Sequence, residues 1–546
     1  MEQTIDYNHP VLGPMTGVLK CGGRVTQFRA IKFATIPGRF RQSVLLPTLP
    51  KRDFTTWGPV CPQAWTPNFV GGLAMGGQLQ PEQRTYDEFE CLNLTLTVPT
   101  YLLTQPNQDP VPVVAWVHGG AFRNGGGANY GLEDPYDFVD WSITIGKPVV
   151  FVGLQYRLNV FGFISSLELA EFASLNNEPI GNWGLRDLIV GYSWIKKFVR
   201  GFGGDEREVM TCGESAGAIA ISLLVAADGL DSDPPFKRAI YQSGIASLLG
   251  PALVQTEQRV FDGIIKTISG DVPPEKRLET MLTLPWQAFM WDALPSSYRP
   301  VVDHDLFKEP LSVGMTCERT YNCAWLESFM AGDCGEEGHS FRGALGLDTG
   351  KVIDNLKNRL QLTFGPQIFN RLTEIATEFG CPSLSIPGAT TLVSKQEIEN
   401  AVHLLGAIMF HALQYAIVRV PGCDKRGKKA YLYHLDKKNP IFTPQTHYSG
   451  VSHHFVDNIY LFQSMVKKIA DQPTVRNDPA KLLRECNTAR SMATKWIDFA
   501  YGIEPWDENL VGVITEFGEG TWEVYSDEED VRRNGRKIKA WLTLVG

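Results

Sequence analysis

Residues 213–217 of this 546-residue chain, with the sequence Gly-Glu-Ser-Ala-Gly, hold the side chain best suited to covalent chemistry. An apolar run at 209–212 precedes them and a second apolar run at 218–227 follows. This order predicts a strand, a tight turn and a helix, with Ser215 at the tip of the turn. A serine in that place is a candidate nucleophile, because the turn carries its hydroxyl clear of the sheet and the glycines let the backbones approach closely.

A second stretch of chemical interest is His-Gly-Gly-Ala-Phe at 118–122, directly after the β-branched run 111–117. Small residues at this position let backbone N–H groups face a pocket. Acyl transfer needs such donors, because negative charge collects on the carbonyl oxygen when a nucleophile attacks. The residue after the nucleophile supplies a further donor at the helix N-terminus. We therefore predict an oxyanion hole formed by the N–H groups of Gly120, Ala121 and Ala216.

The strands and helices predicted around these residues are typical of an α/β fold. Short apolar runs predict strands at 111–117, 149–154, 209–212 and 238–242, and alternation predicts another at 92–98. Helical patterns such as 184–195 lie between them. Strands that alternate with helices predict a large, mostly parallel central sheet covered by helices on both faces.

The second half of the chain is more helical. A capping box at 394–397 begins an apolar-periodic run that continues to Val420, and Asp478-Pro479 begins another helix that ends near Tyr501. No repeat or long linker marks a boundary. We predict one domain over residues 1–546, with a helical insertion or cap at roughly 250–425.

Charge and composition argue against several classes of protein. The net charge of −9 and the lack of a basic stripe argue against nucleic-acid binding, and no apolar stretch predicts a membrane span. The N-terminus lacks the pattern of a signal peptide, so we expect a cytoplasmic protein, with secretion as the alternative if the N-terminus was trimmed. No cysteine or histidine cluster has zinc spacing, and no metal or organic cofactor is expected.

Several longer motifs occur in one order along nearly the whole chain. They are FRAIKFA at 28–34, CPQ at 61–63, ECLNL at 90–94, YRLNVFGF at 156–163, GNWGLRD at 181–187, FGGD at 202–205, QSG at 242–244 and PVVD at 300–303. Together with residues 213–217, these motifs resemble those of the type-B carboxylesterase/lipase family, which includes cholinesterases. Within that family, the chain looks most like the fungal members. The resemblance implies the α/β-hydrolase fold. Ala30 and Leu188 depart from the glycine and glutamine usual in the family.

The resemblance also implies the acid of a catalytic triad. The family carries a glutamate in a D-E-G-x-x-F motif, and this chain has GEEGHSF at 335–341. Alignment on the glycine and the phenylalanine implies Glu337 as the acid, with Glu336 in the place of the aspartate.

The histidine of the triad has two neighbouring candidates in GVSHHFVDNIYLF at 450–462. The family places its histidine three residues before an acid and eight before a phenylalanine, which Asp457 and Phe462 satisfy for His454. Counting forward from Gly450 favours His453 instead. We prefer His454 because two anchors support it. His403 and His411 fall inside the predicted capped helix and are expected to be packing residues. His434 lies at the end of a predicted strand, and His447 has no supporting pattern.

Cys61 and Cys91 correspond by resemblance to the N-terminal disulfide of the family. A cytosolic chain would keep both thiols reduced, so we expect the sulfurs to be close and leave their redox state open.

The activity implied is hydrolysis of carboxylic esters through an acyl-enzyme. Ser215 would attack the carbonyl, His454 would act as base and then as acid, and Glu337 would orient His454. The expected substrate is a small-molecule ester with an apolar group, because aromatic residues such as Trp286, Phe289 and Trp291 are frequent.

Two alternatives to hydrolysis remain open. One is acyl transfer to an alcohol or amine in fungal secondary metabolism, which would use the same residues. The other is a catalytically inactive binding protein on this fold.

Overall fold

A computed structural model of the chain describes residues 2–64, 85–105, 107–130, 132–290, 295, 297–419, 427–441, 448–464, 466–534 and 536–545. The strands in these ranges are numbered in chain order. They are β1 Thr4–His9, β2 Gly13–Lys20, β3 Val25–Lys32, β4 Ala34–Thr35, β5 Val44–Leu45, β6 Asn93–Pro99, β7 Val111–Val117, β8 Val150–Leu154, β9 Gly204–Glu214, β10 Arg238–Gln242, β11 Ser328–Cys334, β12 Lys429–Leu435, β13 Val511–Ile514 and β14 Glu523–Tyr525.

Twelve of these strands form one sheet, in the order β1-β2-β3-β6-β8-β7-β9-β10-β11-β12-β13-β14. Every pairing from β8 through to β13 is parallel, whereas the pairings at both edges are antiparallel. The strands β4 and β5 form a separate two-stranded sheet. The predicted α/β class with a mostly parallel centre is confirmed.

Helices connect the strands and cover the sheet. The α-helices are Thr100–Thr104, Tyr136–Thr144, Asn159–Phe163, Leu167–Leu175, Trp183–Phe198, Ala216–Ala226, Val254–Ser269, Pro274–Thr283, Val313–Asn322, Val352–Phe364, Leu372–Glu378, Lys395–Gly406, Ala412–Arg419, Val456–Leu461, Val466–Ala470, Pro473–Arg476, Pro479–Ala500, Asp527–Asn534 and Ile538–Val545. The longest 3₁₀ helix among the described residues is Glu337–Leu345, and it begins shortly after β11 ends at Cys334.

The core lies in two hydrophobic layers, one on each face of the sheet. In β7, the side chains of Val113, Ala115 and Val117 enter one layer. Those of Val114 and Trp116 enter the other. Because side chains alternate along a strand, a continuous apolar run is what a strand covered on both faces requires.

The carboxyl ends of the parallel strands bring the predicted site residues to one edge of the sheet. The donor loop follows β7, Ser215 follows β9 and Glu337 lies shortly after β11. In open parallel sheets this edge is where ligands bind.

The two helices predicted from caps are confirmed. Ser394 accepts a hydrogen bond from Glu397 N at 3.1 Å, and Asp478 accepts one from Lys481 N at 2.9 Å. The first helix is interrupted by a π-helical turn at Ala407–His411, and Val420, its predicted end, lies outside the described residues.

In the described part of the chain, the helical run Lys395–Arg419 has the length and apolar composition that a membrane crossing would need. Its most apolar window is 94% buried inside the molecule, as the core helix of a globular protein would be.

The range 250–425 contains both helices and a strand of the sheet. Helices such as Val254–Ser269 and Val352–Phe364 lie on either side of β11 in the chain. Because β11 pairs with β10 and β12, this part of the range belongs to the central sheet. The interpretation of the flanking helices as a cap stays a prediction.

Candidate active site

Ser215 lies in the turn between β9 and the helix Ala216–Ala226. Its backbone has φ 54° and ψ −122°, a conformation that residues other than glycine rarely adopt, so the turn is strained. Two hydrogen bonds hold it, from Ser215 N to Gln242 O at 2.8 Å and from Ile219 N to Ser215 O at 2.9 Å. A strained turn of this kind presents its side chain at the edge of the sheet.

Two glycines allow this turn to lie against β7. A Cβ atom on Gly217 would be 2.0 Å from Val117 O, and one on Gly213 would be 2.6 Å from the same oxygen. A side chain at either position would push the turn away from β7. The glycines at both ends of the predicted motif are therefore required by packing.

The loop after β7 lies directly beside the turn. A Cβ atom on Gly119 would be 2.5 Å from Glu214 Oε2 and 3.0 Å from Ser215 Cβ. The loop and Ser215 are therefore in contact, as the sequence predicts for an oxyanion hole.

Three successive residues of this loop have positive φ angles: 110° for Gly120, 57° for Ala121 and 55° for Phe122. Phe122 O accepts a hydrogen bond from Asn159 N at 2.7 Å, which helps to hold this backbone. Across the described residues, the N–H groups of Gly120, Ala121 and Ala216 have no hydrogen-bond partner. These three donors are free to bind a developing oxyanion.

Glu337 and His454 are in direct contact and fully buried. His454 Nδ1 lies 2.5 Å from Glu337 Oε2. The other carboxylate oxygen, Oε1, accepts hydrogen bonds from Cys334 N at 2.8 Å and from Ser243 Oγ at 2.6 Å. Because both oxygens are occupied, Glu337 holds the imidazole in one orientation and places the proton on Nδ1.

His453 makes different contacts from its neighbour. Its Nδ1 lies 2.5 Å from His454 O, and its Nε2 lies 3.1 Å from Asn439 Nδ2. Burial lowers the pKa of His453 to about 3. The structure therefore brings His454, and not His453, to Glu337.

The other candidate histidines lie elsewhere. His411 Nδ1 and His434 Nδ1 contact the two oxygens of Asp333, at 3.0 Å and 2.7 Å. His403 is exposed on the helix Lys395–Gly406, and His447 lies outside the described residues.

Glu214, the residue before Ser215, contacts the second nitrogen of His454. Its Oε1 lies 2.9 Å from His454 Nε2, although the two atoms are not aligned as a hydrogen bond, and Nε2 makes no hydrogen bond to Ser215 in this structure. Burial raises the pKa of Glu214 to about 7, and the charge of His454 opposes this rise. Burial alone would lower the pKa of His454, but Glu214 and Glu337 together raise it to about 10.

Two phenylalanine rings pack on the imidazole of His454. The ring of Phe410 is 4.5 Å away and tilted by 32°, and that of Phe341 is 5.0 Å away and nearly perpendicular at 65°. Phe410 belongs to the π-helical turn, and such turns are frequent at functional sites. The two rings give the site an apolar wall.

Sequence reasoning missed four participants. Glu214 stands in the serine motif and Ser243 in the QSG motif, but neither was given a role. Asp457 served only as an alignment anchor, yet it accepts a hydrogen bond from Gln242 Nε2 at 2.8 Å, and burial raises its pKa to about 6. Glu214, Ser243 and Asp457 could have been found because each belongs to a motif noted in the sequence. No sequence signal pointed to Phe410.

Cys61 and Cys91 are both buried, free thiols in this structure. The hydrogen bond to the Cys61 thiol and burial raise the pKa of Cys91 well above its usual value. The sulfurs are close, as expected, and formation of a disulfide stays a prediction.

The aromatic residues noted in the sequence pack away from His454. Phe289 contacts Phe161 at 5.5 Å and Trp286 contacts Tyr86 at 6.0 Å, while Trp291 lies outside the described residues. Within the ranges that the structure covers, no three histidine, cysteine or acidic side chains are grouped as a metal ion would require.

Comparison with known proteins shows which family the chain matches. Residues 10–535 match the Carboxylesterase family. Lipase 3 of Yarrowia lipolytica is 27% identical over 499 residues, which cover 91% of this chain and 88% of that protein. Lipase 1 of the same yeast is 31% identical over 266 residues, about half of each chain (48% and 50%).

The fold has close structural neighbours as well. The structure of a PNB esterase superimposes with a TM-score of 0.69 at 18% identity, over 98% of this chain and 99% of that chain. At that identity the likeness supports the α/β-hydrolase fold alone. Because the family match extends over nearly the whole length, the chain belongs to the carboxylesterase family of carboxylic ester hydrolases.

Proposed function

We propose that the protein hydrolyses carboxylic esters through an acyl-enzyme formed on Ser215. The observation that carries the proposal is the 2.5 Å contact between His454 Nδ1 and Glu337, at the same sheet edge as the strained Ser215 turn. A serine hydroxyl is a weak nucleophile until a base takes its proton, and an imidazole fixed by a carboxylate is such a base.

In the first step, Ser215 Oγ attacks the ester carbonyl and its proton passes to His454 Nε2. The carbonyl π-electrons move to the oxygen, where the N–H groups of Gly120, Ala121 and Ala216 stabilise the negative charge. Loss of one such donor costs about 2.7–4 kcal/mol of transition-state stabilisation in a protease of the same chemistry. The C–O bond then breaks, and His454 gives its proton to the departing alcohol.

In the second step, water attacks the acyl-enzyme and releases the acid. His454 takes a proton from the water and returns it to Ser215 Oγ, so the enzyme is restored. Glu337 keeps the imidazole oriented in both steps. Glu214 lies on the Nε2 side, where it favours the imidazolium that forms in each transition state.

The substrate class is expected to include an apolar group. The rings of Phe341 and Phe410 are packed on His454, so the reacting imidazole lies among apolar side chains. An ester with a hydrocarbon acyl chain or alcohol suits that wall better than a charged one.

The first test is the variant Ser215→Ala with p-nitrophenyl butyrate as substrate. We expect kcat to fall by about 10⁴-fold or more, because the residual rate comes from binding and the oxyanion donors alone. Unchanged thermal unfolding would show that the fold is intact. Turnover within tenfold of the parent protein would contradict the proposal.

Acyl transfer would use the same residues and differs only in the second nucleophile. Product analysis with rising concentrations of a primary alcohol separates the two: hydrolysis gives mainly the free acid, whereas a transferase gives mainly the new ester. An inactive binding protein is not supported, because Ser215, Glu337 and His454 are all present.

A further inference from the structure

The imidazole of His454 has a face as well as two nitrogens, and the ring of Phe410 covers that face. The two ring centres are 4.5 Å apart and the ring planes are tilted by 32°. Rings that lie side by side in one plane cannot approach so closely, so the face of Phe410 overlaps the face of the imidazole. The ring of Phe341 stands at 65° to the imidazole instead. Phe410 is therefore the ring that stacks on the base.

The side chain of Phe410 is closed off from any substrate. It is 1% exposed, whereas the side chain of Phe341 is only partly buried. The in-plane nitrogens of His454 are in contact with Glu337 and Glu214, so the stacked face is a third and separate contact of the imidazole. Phe410 can influence the reaction only through His454.

The π-helical turn Ala407–His411 determines where this ring lies. The helix that leads into the turn is packed directly on the segment that carries Glu337, because a Cβ atom on Gly406 would be 2.7 Å from Gly338 N. A π-helical turn contains one residue more than the α-helical turn it replaces, so it changes which side chain points at a given neighbour. Here the side chain that points at the imidazole is that of Phe410.

We propose that Phe410 is a positioning residue for the base, and that its ring face stabilises the imidazolium that His454 becomes in both steps of ester hydrolysis. The face of an aromatic ring carries negative potential and attracts a cation within about 6 Å, more strongly where water is excluded. The attraction increases as His454 takes a proton, so it favours the transition state over the ground state. The inference rests on the proposed function for the role of His454 as base.

The ring acts beside several charged groups, which stay in place in every variant of Phe410. The titratable side chains that interact with His454 in the described structure are Glu337, Glu214, Asp457 and His453. On the π-helical turn itself, His411 is turned to Asp333. Burial lowers the pKa of His454, and the two glutamates raise it to about 10. Loss of the attraction to the ring face destabilises the cation and should lower this pKa further.

The test replaces Phe410 in the full-length protein with mono-, di- and pentafluorinated phenylalanine. Added fluorine weakens the negative potential of the ring face and changes the shape of the side chain little. The pKa of His454 is measured by NMR titration of protein with ¹³C-labelled histidine, and its signal is assigned through His454→Gln. We expect the pKa to fall step by step, by about half a unit or more over the series.

The same fluorinated series at Phe462 is the matched control. Phe462 is fully buried as well, but its ring packs on Trp116 at 4.9 Å. Fluorination there should leave the pKa of His454 unchanged. A pKa that stays constant through the series at Phe410, or an equal shift in the series at Phe462, would overturn the proposal.

Phe410→Leu gives a kinetic test, because leucine keeps an apolar side chain at this position and removes the ring face. On the plateau of the profile against pH, kcat should fall about threefold to tenfold, as loss of a desolvated cation–π contact predicts. KM for p-nitrophenyl butyrate should change less than about twofold, because the side chain does not touch the ester. A raised KM with unchanged kcat would overturn the proposal. The fluorinated series decides if Phe410→Leu does not fold.

The outcome for Phe410 is independent of the outcome for Ser215. If Ser215→Ala retains turnover, the acyl-enzyme mechanism is wrong, and the NMR titration still shows whether Phe410 stabilises the His454 cation. If the pKa of His454 does not respond to fluorination, Phe410 only fills space, and the test of Ser215 is unaffected.

Discussion

At the scale of single residues, the imidazole of His454 lies between two buried carboxylates that act on different nitrogens. Glu337 binds Nδ1 and is itself held by Cys334 N and Ser243, so it orients the ring. Glu214 lies 2.9 Å from Nε2, the nitrogen that must accept the proton of Ser215. The first carboxylate positions the base, and both carboxylates raise the pKa of His454.

The neighbouring histidines provide a direct comparison of roles. His454→Gln should lower kcat by about 10⁴-fold, because no group remains to take the serine proton. His453→Gln should keep activity within about tenfold, because the side chain of His453 contacts His454 O, Asn439 and the Tyr448 ring and makes no hydrogen bond to Glu337. Steady-state kinetics of both variants would show which histidine is the base. A larger loss of kcat in His453→Gln than in His454→Gln would show that the assignment is wrong.

Glu214→Gln tests the origin of the raised His454 pKa. The base must be neutral to act, and a nearby carboxylate stabilises its protonated form, so removing that charge lowers the pKa of His454. The acid limb of the profile of kcat/KM against pH should therefore move to lower pH, by about half a unit or more.

The exposed carboxylate of Glu279 provides the control for that experiment, since its side chain is 65% exposed. Glu279→Gln should leave the profile unchanged. An acid limb that stays in place or moves to higher pH in Glu214→Gln would show that Glu214 does not raise the pKa.

At the scale of elements, the site depends on how closely the turn after β9 approaches β7. Gly217 makes this approach possible, because any Cβ there would be 2.0 Å from Val117 O. The π-helical turn Ala407–His411 also shapes the site. It places Phe410 on His454, while the next residue, His411, contacts Asp333.

A pair of glycine substitutions tests the packing argument. Gly217→Ala should destabilise the fold by about 2 kcal/mol or more, because the methyl group overlaps a backbone oxygen that cannot move alone. Gly263→Ala, in the helix Val254–Ser269 with open space around it, should stabilise the protein by up to about 1 kcal/mol. Urea unfolding of both variants gives the comparison, and equal stabilities would refute the argument.

At the scale of the whole molecule, most of the architecture was predictable because the relevant signals are local. The runs at 111–117 and 209–212 are strands, and the caps at Ser394 and Asp478 begin helices. Ser215 was identified by its own turn, and His454 was preferred through the spacing to Asp457 and Phe462.

What the sequence left open depends on contacts between distant segments. Residue 214 meets residue 454 only because β9 and the loop after β12 end at the same edge of the sheet. The π-helical turn leaves the apolar pattern of its helix uninterrupted, so the position of Phe410 had no local signal. The strand β11 inside the predicted cap range was missed because its sequence, Ser-Phe-Met-Ala-Gly-Asp-Cys, lacks a long apolar run.

The central claim is that Ser215 carries the acyl group during turnover. The most direct measurement is mass spectrometry of peptides from protein quenched in acid during reaction with p-nitrophenyl butyrate. The account predicts one butyryl group per chain on the peptide that contains Ser215, and none in Ser215→Ala. A butyryl group on a different residue, or steady turnover with no acylated Ser215, would contradict it.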